Sequence, residues 1–253
     1  GNRVYRNNGP GEGGDWSTFT DVFHDTVNGL FGIWGDYDND DDLDIYSWGR
    51  DVILRYDGGT TFTTVPMPSI GGNPWGAVWG DWDNDANLDL FVVGGGGTNE
   101  INGMLKNNAN GTFSTAWTTG AGNTRGVTAA DFDNDGDIDA FSGTVIGQDN
   151  RIWLNDGTGT FTDSQSVGVI ATKSSREIEI GDVDGDGDVD AWVGNQDYVN
   201  RLYLNDGTGV FTDSGQNLGN SDSDGVALGD VDGDGDLDAW VANYSGPNLV
   251  WYN

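Results

Sequence analysis

The sequence predicts an all-β fold: a β-propeller of four-stranded antiparallel blades, with five blades as the expected number. Three observations carry that expectation. An acidic nonapeptide recurs five times, apolar runs flank every copy in the same places, and no helical periodicity extends over ten residues. The nonapeptide reads DYDNDDDLD at 36–44, DWDNDANLD at 81–89, DFDNDGDID at 131–139, DVDGDGDVD at 182–190 and DVDGDGDLD at 230–238. Successive copies start 45, 50, 51 and 48 residues apart, a period that suits a propeller blade.

The first strand of each repeat is the run before the acidic loop: GIWG, AVWG, VTAA, IEIG and VALG. The second follows the loop as IYSW, LFVV, AFSG, AWVG and AWVA. In the last copy Leu237, Ala239 and Val241 share one face and Trp240 holds the other, so both faces are apolar, as a blade sandwiched between two others requires. The third and fourth strands form a hairpin, as in RIWLNDGTGTFTD (151–163) and RLYLNDGTGVFTD (201–213), where Asn-Asp-Gly marks the turn. The fourth strand carries Phe19, Phe62, Phe113, Phe161 or Phe211. Both NRVYRNN (2–8) and NLVWYN (248–253) match the third strand, so the count is five strands of each other type and six of the third.

Those twenty-one strands fit a single domain spanning 1–253, with repeats starting near 30, 75, 125, 176 and 224 and residues 1–29 completing the last blade. The ring would close by mixing the two ends, the last blade taking its fourth strand from residues 17–21. The other reading is a slice of a longer array, cut inside two blades. Aromatics at one repeat position (Tyr46, Phe91, Phe141, Trp192, Trp240) and at another (Trp34 and Trp79, beside Ala129, Ile180 and Leu228) are expected between blades.

Composition bounds the function. Apolar residues at 35% of 253 are too many for a disordered chain. A net charge of −32 argues against nucleic acid or anionic membrane as partner. There is no cysteine, and no apolar run approaches the ~20 residues of a membrane span. No signal peptide is visible, and a start at Gly1 is what a mature or excised fragment would show. Of 42 acidic residues only Glu12, Glu100, Glu177 and Glu179 are glutamates, and the five loops hold 25 of the 42. Such bias toward the shorter carboxylate points to turns and metal loops.

Ca²⁺ takes six to eight hard oxygen ligands. Loop positions 1, 3, 5 and 9 offer carboxylates and position 7 a backbone carbonyl. The candidate ligands are Asp36, Asp38, Asp40, Asp42 and Asp44; Asp81, Asp83, Asp85, Asn87 and Asp89; and Asp131, Asp133, Asp135, Asp137 and Asp139. The last two loops offer Asp182, Asp184, Asp186, Asp188 and Asp190, then Asp230, Asp232, Asp234, Asp236 and Asp238, for up to five ions in all. Position 6 is the turn glycine in Gly136, Gly187 and Gly235, whereas Asp41 and Ala86 replace it in the first two loops, which are expected to be strained or weaker. An EF-hand needs a bidentate Glu at position 12. Ser47, Val92, Ser142, Val193 and Val241 stand there instead, which rules it out.

The pattern WGDYDNDDDLD…GDVDGDGDLDAWV resembles the FG-GAP/VCBS repeat family, the calcium-loop propeller repeats of integrin α-subunit heads, some fungal lectins and many secreted bacterial proteins. The resemblance covers essentially the whole chain. It implies a calcium-bound propeller, more often of seven blades than five. Family members serve as lectins, adhesion modules and scaffolds of polysaccharide lyases.

In an up-and-down blade the acidic loops and hairpin turns share one face, so recognition is expected on the other, where the repeats differ. Its loops are SWGRD (47–51), GGGGTNEIN (94–102), GTVIGQDN (143–150), GNQDYVN (194–200) and NYSGPN (243–248). The candidate ligand contacts are Trp48, Arg50, Trp75, Arg125, Gln148, Arg176, Gln196, Tyr198, Asn243 and Tyr244. Planar hydrogen-bonding groups beside aromatic faces suit a sugar. No helix follows the GGGG run, so it is no phosphate cradle.

Three functions stand at this level. The first is a secreted, calcium-stabilised module binding carbohydrate, lectin-like and not an enzyme, set outside the cell because weak calcium loops fill there. The second is an adhesion or structural module with a protein partner. The third is a polysaccharide lyase or hydrolase, for which His24, the only histidine, and the absence of cysteine give little nucleophilic support.

Overall fold

Short β-branched and aromatic runs, each closed by Gly, Asn or Asp turns, leave the chain nothing to form but strands. The computed structural model describes residues 3–7, 19–24, 32–71, 73–95, 101–120, 122–145, 148–168 and 174–253. These hold twenty-one strands and no helix. A two-stranded sheet comes first, β1 (Arg3–Asn7) with β2 (Phe19–His24). Four four-stranded blades follow. They are β3 (Gly32–Gly35), β4 (Asp44–Ser47), β5 (Val52–Tyr56) and β6 (Phe62–Pro66); then β7 (Pro74–Gly80), β8 (Asp89–Gly94), β9 (Gly103–Asn107) and β10 (Phe113–Thr118). Next are β11 (Thr124–Ala130), β12 (Asp139–Thr144), β13 (Asn150–Asn155) and β14 (Phe161–Val167), then β15 (Ser174–Gly181), β16 (Asp190–Gln196), β17 (Arg201–Asn205) and β18 (Phe211–Asp213). The last sheet has three strands, β19 (Asp222–Gly229), β20 (Asp238–Ser245) and β21 (Leu249–Trp251). Every pair is antiparallel and in sequence order, an up-and-down meander.

A separate apolar cluster fills the space between each pair of consecutive blades. Between the first two, Tyr37 and Tyr46 meet Trp79 and Phe113. Phe161 then packs on Trp82 and Phe91, and Phe211 on Phe132 and Phe141. In β10, β14 and β18 the fourth-strand phenylalanine is therefore the knob that enters the blade before it. The first strands β7, β11, β15 and β19 lie against one another in succession, so they form the inner side of the series.

The expected inter-blade burial holds within the series and fails at its ends. Tyr46, Phe91 and Phe141 are fully buried and Trp192 is 4% exposed, but Trp240 at the same position is 44% exposed and Trp34 is 53% exposed. Among the described residues no blade covers the outer face of β19–β21, and only the β1–β2 hairpin, through Phe23 on Phe62 at 4.7 Å, borders the outer face of β3–β6. The expected addition of residues 17–21 to the last blade is not among the described strand pairs: β2 pairs with β1, and β21 with β20. Residues 8–18, which include the start of that expected strand, lie outside the described residues, as does part of the 94–102 and 143–150 loops.

Candidate functional site

Each acidic loop is a knot tied by its own carboxylates. In the third, Asp131 accepts from the backbone N–H groups of Asp135 (3.2 Å) and Gly136 (3.0 Å), and Asp135 accepts from Asp137 N–H at 2.9 Å. Asp36 and Asp40, and Asp81 and Asp85, accept the same three bonds. In the last two loops Asp182 and Asp230 accept from positions 6 and 4, the latter being Gly185 and Gly233, and Asp186 and Asp234 accept from position 7 as before. The turn is left-handed at positions 4 and 6. Gly136, Gly187 and Gly235 take φ of 96°, 96° and 102° at position 6, while Asp41 and Ala86 are forced to 70° and 66°. An alanine there costs about 1–2 kcal/mol relative to its relaxed backbone, which is the strain expected of the first two loops.

Position 9 binds the loop to its blade. Asp139, fully buried, accepts from Phe132 N–H at 2.9 Å and from Asn155 N–H on β13 at 2.8 Å. Asp89, Asp190 and Asp238 repeat both bonds. Burial drives the carboxyls of Asp89 and Asp139 up to about 7 and that of Asp44 up to about 6, with Asp190 moved the same way. In the last loop, where no blade packs behind, the backbone bonds from Asn253 and Val231 dominate and hold Asp238 low.

The oxygen donors converge. Asp36, Asp38 and Asp40 bring carboxylate oxygens within 4.8 Å of one another, as do Asp81, Asp83 and Asp85, and Asp230, Asp232 and Asp234. In the third and fourth loops the trios are Asp131, Asp133 and Asp139, and Asp182, Asp184 and Asp190. Buried oxygens of Asp44 and Asp83 have no hydrogen-bond partner among the described residues. An all-oxygen, all-anionic donor set with desolvated, unpartnered oxygens fits a hard divalent cation. The second loop differs, because the Lys106 ammonium bonds both Asp83 and Asp85.

Two sets of asparagines, invisible as function in the sequence, tie the loops together. Asn39, Asn84 and Asn134 at position 4 donate to position 7 of the following loop: Asn87 (3.1 Å), Asp137 (2.7 Å) and Asp188 (2.9 Å). Asn107, Asn155 and Asn205, which end third strands, and Asn253, two residues past β21, donate to the carbonyls of Tyr37, Trp82, Phe132 and Val183 in the preceding blade, at 2.6–2.9 Å. The signal was available: asparagine recurs there in register, although the turn itself needs only the residues after it. Asn84 and Asn134 also reach the hairpin carbonyls of Gly157 and Gly207, so acidic loops and hairpin turns do share one face.

On the opposite face the structure sorts the ten candidates. Trp48, Trp75, Arg125 and Arg176 line one cleft of about 490 Å³ with Glu177 and Asp224. The Arg125 guanidinium lies over the Trp75 ring, 5.6 Å from its centroid. Arg176 is held by Asp222, Asp224 and the Gln196 side chain, so Gln196 serves as its brace. Gln148 lines a second, polar cleft of about 360 Å³ between the second and third blades, with Thr124, Asp149 and Arg151. Asn243 is spent on its own loop, bonding Ser223, Asn248 and Pro247. Tyr198 is capped by Arg201 at 5.9 Å, Tyr244 is 78% exposed, and Arg50 sits in the turn after β4, apart from the cleft. A further asparagine row closes the loops of this face: Asn102, Asn150, Asn200 and Asn248 accept backbone N–H bonds within them.

Comparison with known proteins matches the FG-GAP-like repeat at residues 87–142, 139–193 and 182–241, together more than half of the chain. Among curated proteins no sequence relative is found. Among solved structures, a lectin of Agrocybe aegerita, described in specific recognition of non-reducing terminal N-acetylglucosamine, is similar at 19% identity and a TM-score of 0.59 over 98% of this chain and 73% of that one. BBS1N, solved in complex with ARL6DN, is similar at 13% identity and a TM-score of 0.58 over 91% and 72%.

Proposed function

The chain belongs to the FG-GAP-like repeat family, and from that premise we propose that it is a secreted, calcium-stabilised propeller module that binds carbohydrate through the face opposite its acidic loops. Calcium would sit among the aspartates of each loop and neutralise carboxylates that burial otherwise drives toward protonation. Extracellular calcium fills sites of ~10⁻⁴–10⁻³ M, and cytosolic calcium does not. The observation that carries the ligand reading is the cleft where Arg125 lies over Trp75 beside Trp48. Aromatic faces take the C–H side of a sugar ring, while guanidinium and carboxylate edges take its hydroxyls. The glycan-binding lectin among the structural neighbours supports it.

A glycan array probed in calcium buffer tests the reading. We expect selective glycan signals that Trp75→Ala abolishes, and a blank array at high micromolar protein would refute it. A protein partner is the second reading, supported by the BBS1N neighbour and by a charge of −32 that favours basic surfaces. In that case pull-downs would recover a basic protein and lose it as salt rises.

A further inference from the structure

Trp75, Arg125, Arg176 and Asp224 each stand six residues before the first aspartate of their loop, so they occupy one repeat position in four successive blades. The first strands lie side by side, and this position therefore forms a row along the cleft of about 490 Å³. Each of its side chains finds a partner in the neighbouring blade, except on one side of Arg125. Arg176 turns toward Asp224 and also meets Asp222 at 3.3 Å and the Gln196 oxygen at 3.2 Å. Arg125 turns the other way, onto the face of Trp75.

The Arg125 guanidinium is half-buried, yet among the described residues it makes no hydrogen bond and no ion pair. Glu177 shares the cleft and attracts it through space, without a hydrogen bond or a contact ion pair among the described residues. Burial and the like charge of Arg176 push against its protonated form and outweigh the pull of Asp222 and Glu177. Trp75 satisfies one face of the planar cation and leaves its edge, with a fork of N–H donors, directed at no protein acceptor. A desolvated cation left so is costly unless an anion completes it. The fork fits a carboxylate with two parallel bonds, and Trp48 and Trp75 offer apolar walls beside it.

We propose that this cleft is a uronate subsite: the carboxylate of an acidic monosaccharide unit binds the edge of Arg125, within the field of Arg176, while its ring packs against the tryptophans. The inference rests on the carbohydrate-binding reading and adds the charge of the sugar. The surrounding −32 opposes a polyanion more than a single charge, so one uronate unit is the fitting ligand.

Calorimetric titration of the calcium-loaded protein with glucuronate and galacturonate, each against glucose or galactose, tests it alongside Arg125→Gln and Arg125→Lys. We expect the uronates to bind at least about tenfold more tightly than their neutral parents. That preference should vanish in Arg125→Gln and return in part in Arg125→Lys, with only a small fall in melting temperature, because the stack on Trp75 is weakened but no protein hydrogen bond is lost. Neutral sugars binding as well as uronates, or a preference that survives Arg125→Gln, would overturn the subsite and leave the carbohydrate reading standing. Binding of no sugar at all would overturn both. A glutamate-rich peptide bound through Arg125 in place of uronates would assign the site to a protein ligand and overturn the uronate.

Discussion

Lys106 holds the strand position that Leu154 and Leu204 hold in the next two blades, and its ammonium lies where the second loop gathers its carboxylates. A built-in cation competes with a bound one for Asp83 and Asp85. Replacing it by leucine, the residue its sister blades use, is expected to raise calcium uptake by one ion per chain at limiting calcium, counted by metal analysis after equilibrium dialysis. Equal counts for Lys106→Leu and the parent chain would mean that the ammonium yields to the ion without cost. At this scale the sequence was legible where a residue's role is local. The strain at Ala86 followed from its place in a glycine turn. It was less legible where the partner comes from far along the chain. Position 9 looked like one more ligand, and only folding reveals that Asp139 also accepts the Asn155 N–H.

Blades hold one another by a repeated set of contacts: a fourth-strand phenylalanine in the preceding blade, a third-strand asparagine on its loop carbonyl, and an apolar cluster between. Identical repeat positions therefore differ in worth according to what lies behind them. Phe141 is fully buried against Phe211, whereas Trp240 has no blade over it among the described residues and is 44% exposed. Phe141→Ala should cost about 3–5 kcal/mol in chemical denaturation with calcium present, and Trp240→Ala about 1 kcal/mol or less. Similar losses for the two would show that the last blade is covered in solution. The strands themselves were legible, because a period near fifty residues repeats the same four apolar runs and turn signals. The fate of the end blades was not, since burial between blades depends on a neighbour that periodicity alone does not supply.

For the whole molecule, the loudest sequence feature and the proposed ligand face lie on opposite sides. Twenty-five of the 42 acidic residues sit in the five loops, where they knot the backbone, bury carboxylates at raised proton affinity and leave oxygens of Asp44 and Asp83 unpartnered. Without a cation those charges oppose the packing that the asparagine ties and phenylalanine knobs build. With one in each loop they become its fastening, and metal binding is linked to folding. The proposed ligand face would need that fastening, because Trp75, Arg125 and Arg176 converge only while their blades stand side by side. The most direct measurement is the melting temperature of the chain in millimolar calcium and again in excess chelator. Calcium-fastened blades predict a large fall on chelation, reversed by restoring calcium, and an unchanged melt would contradict the account.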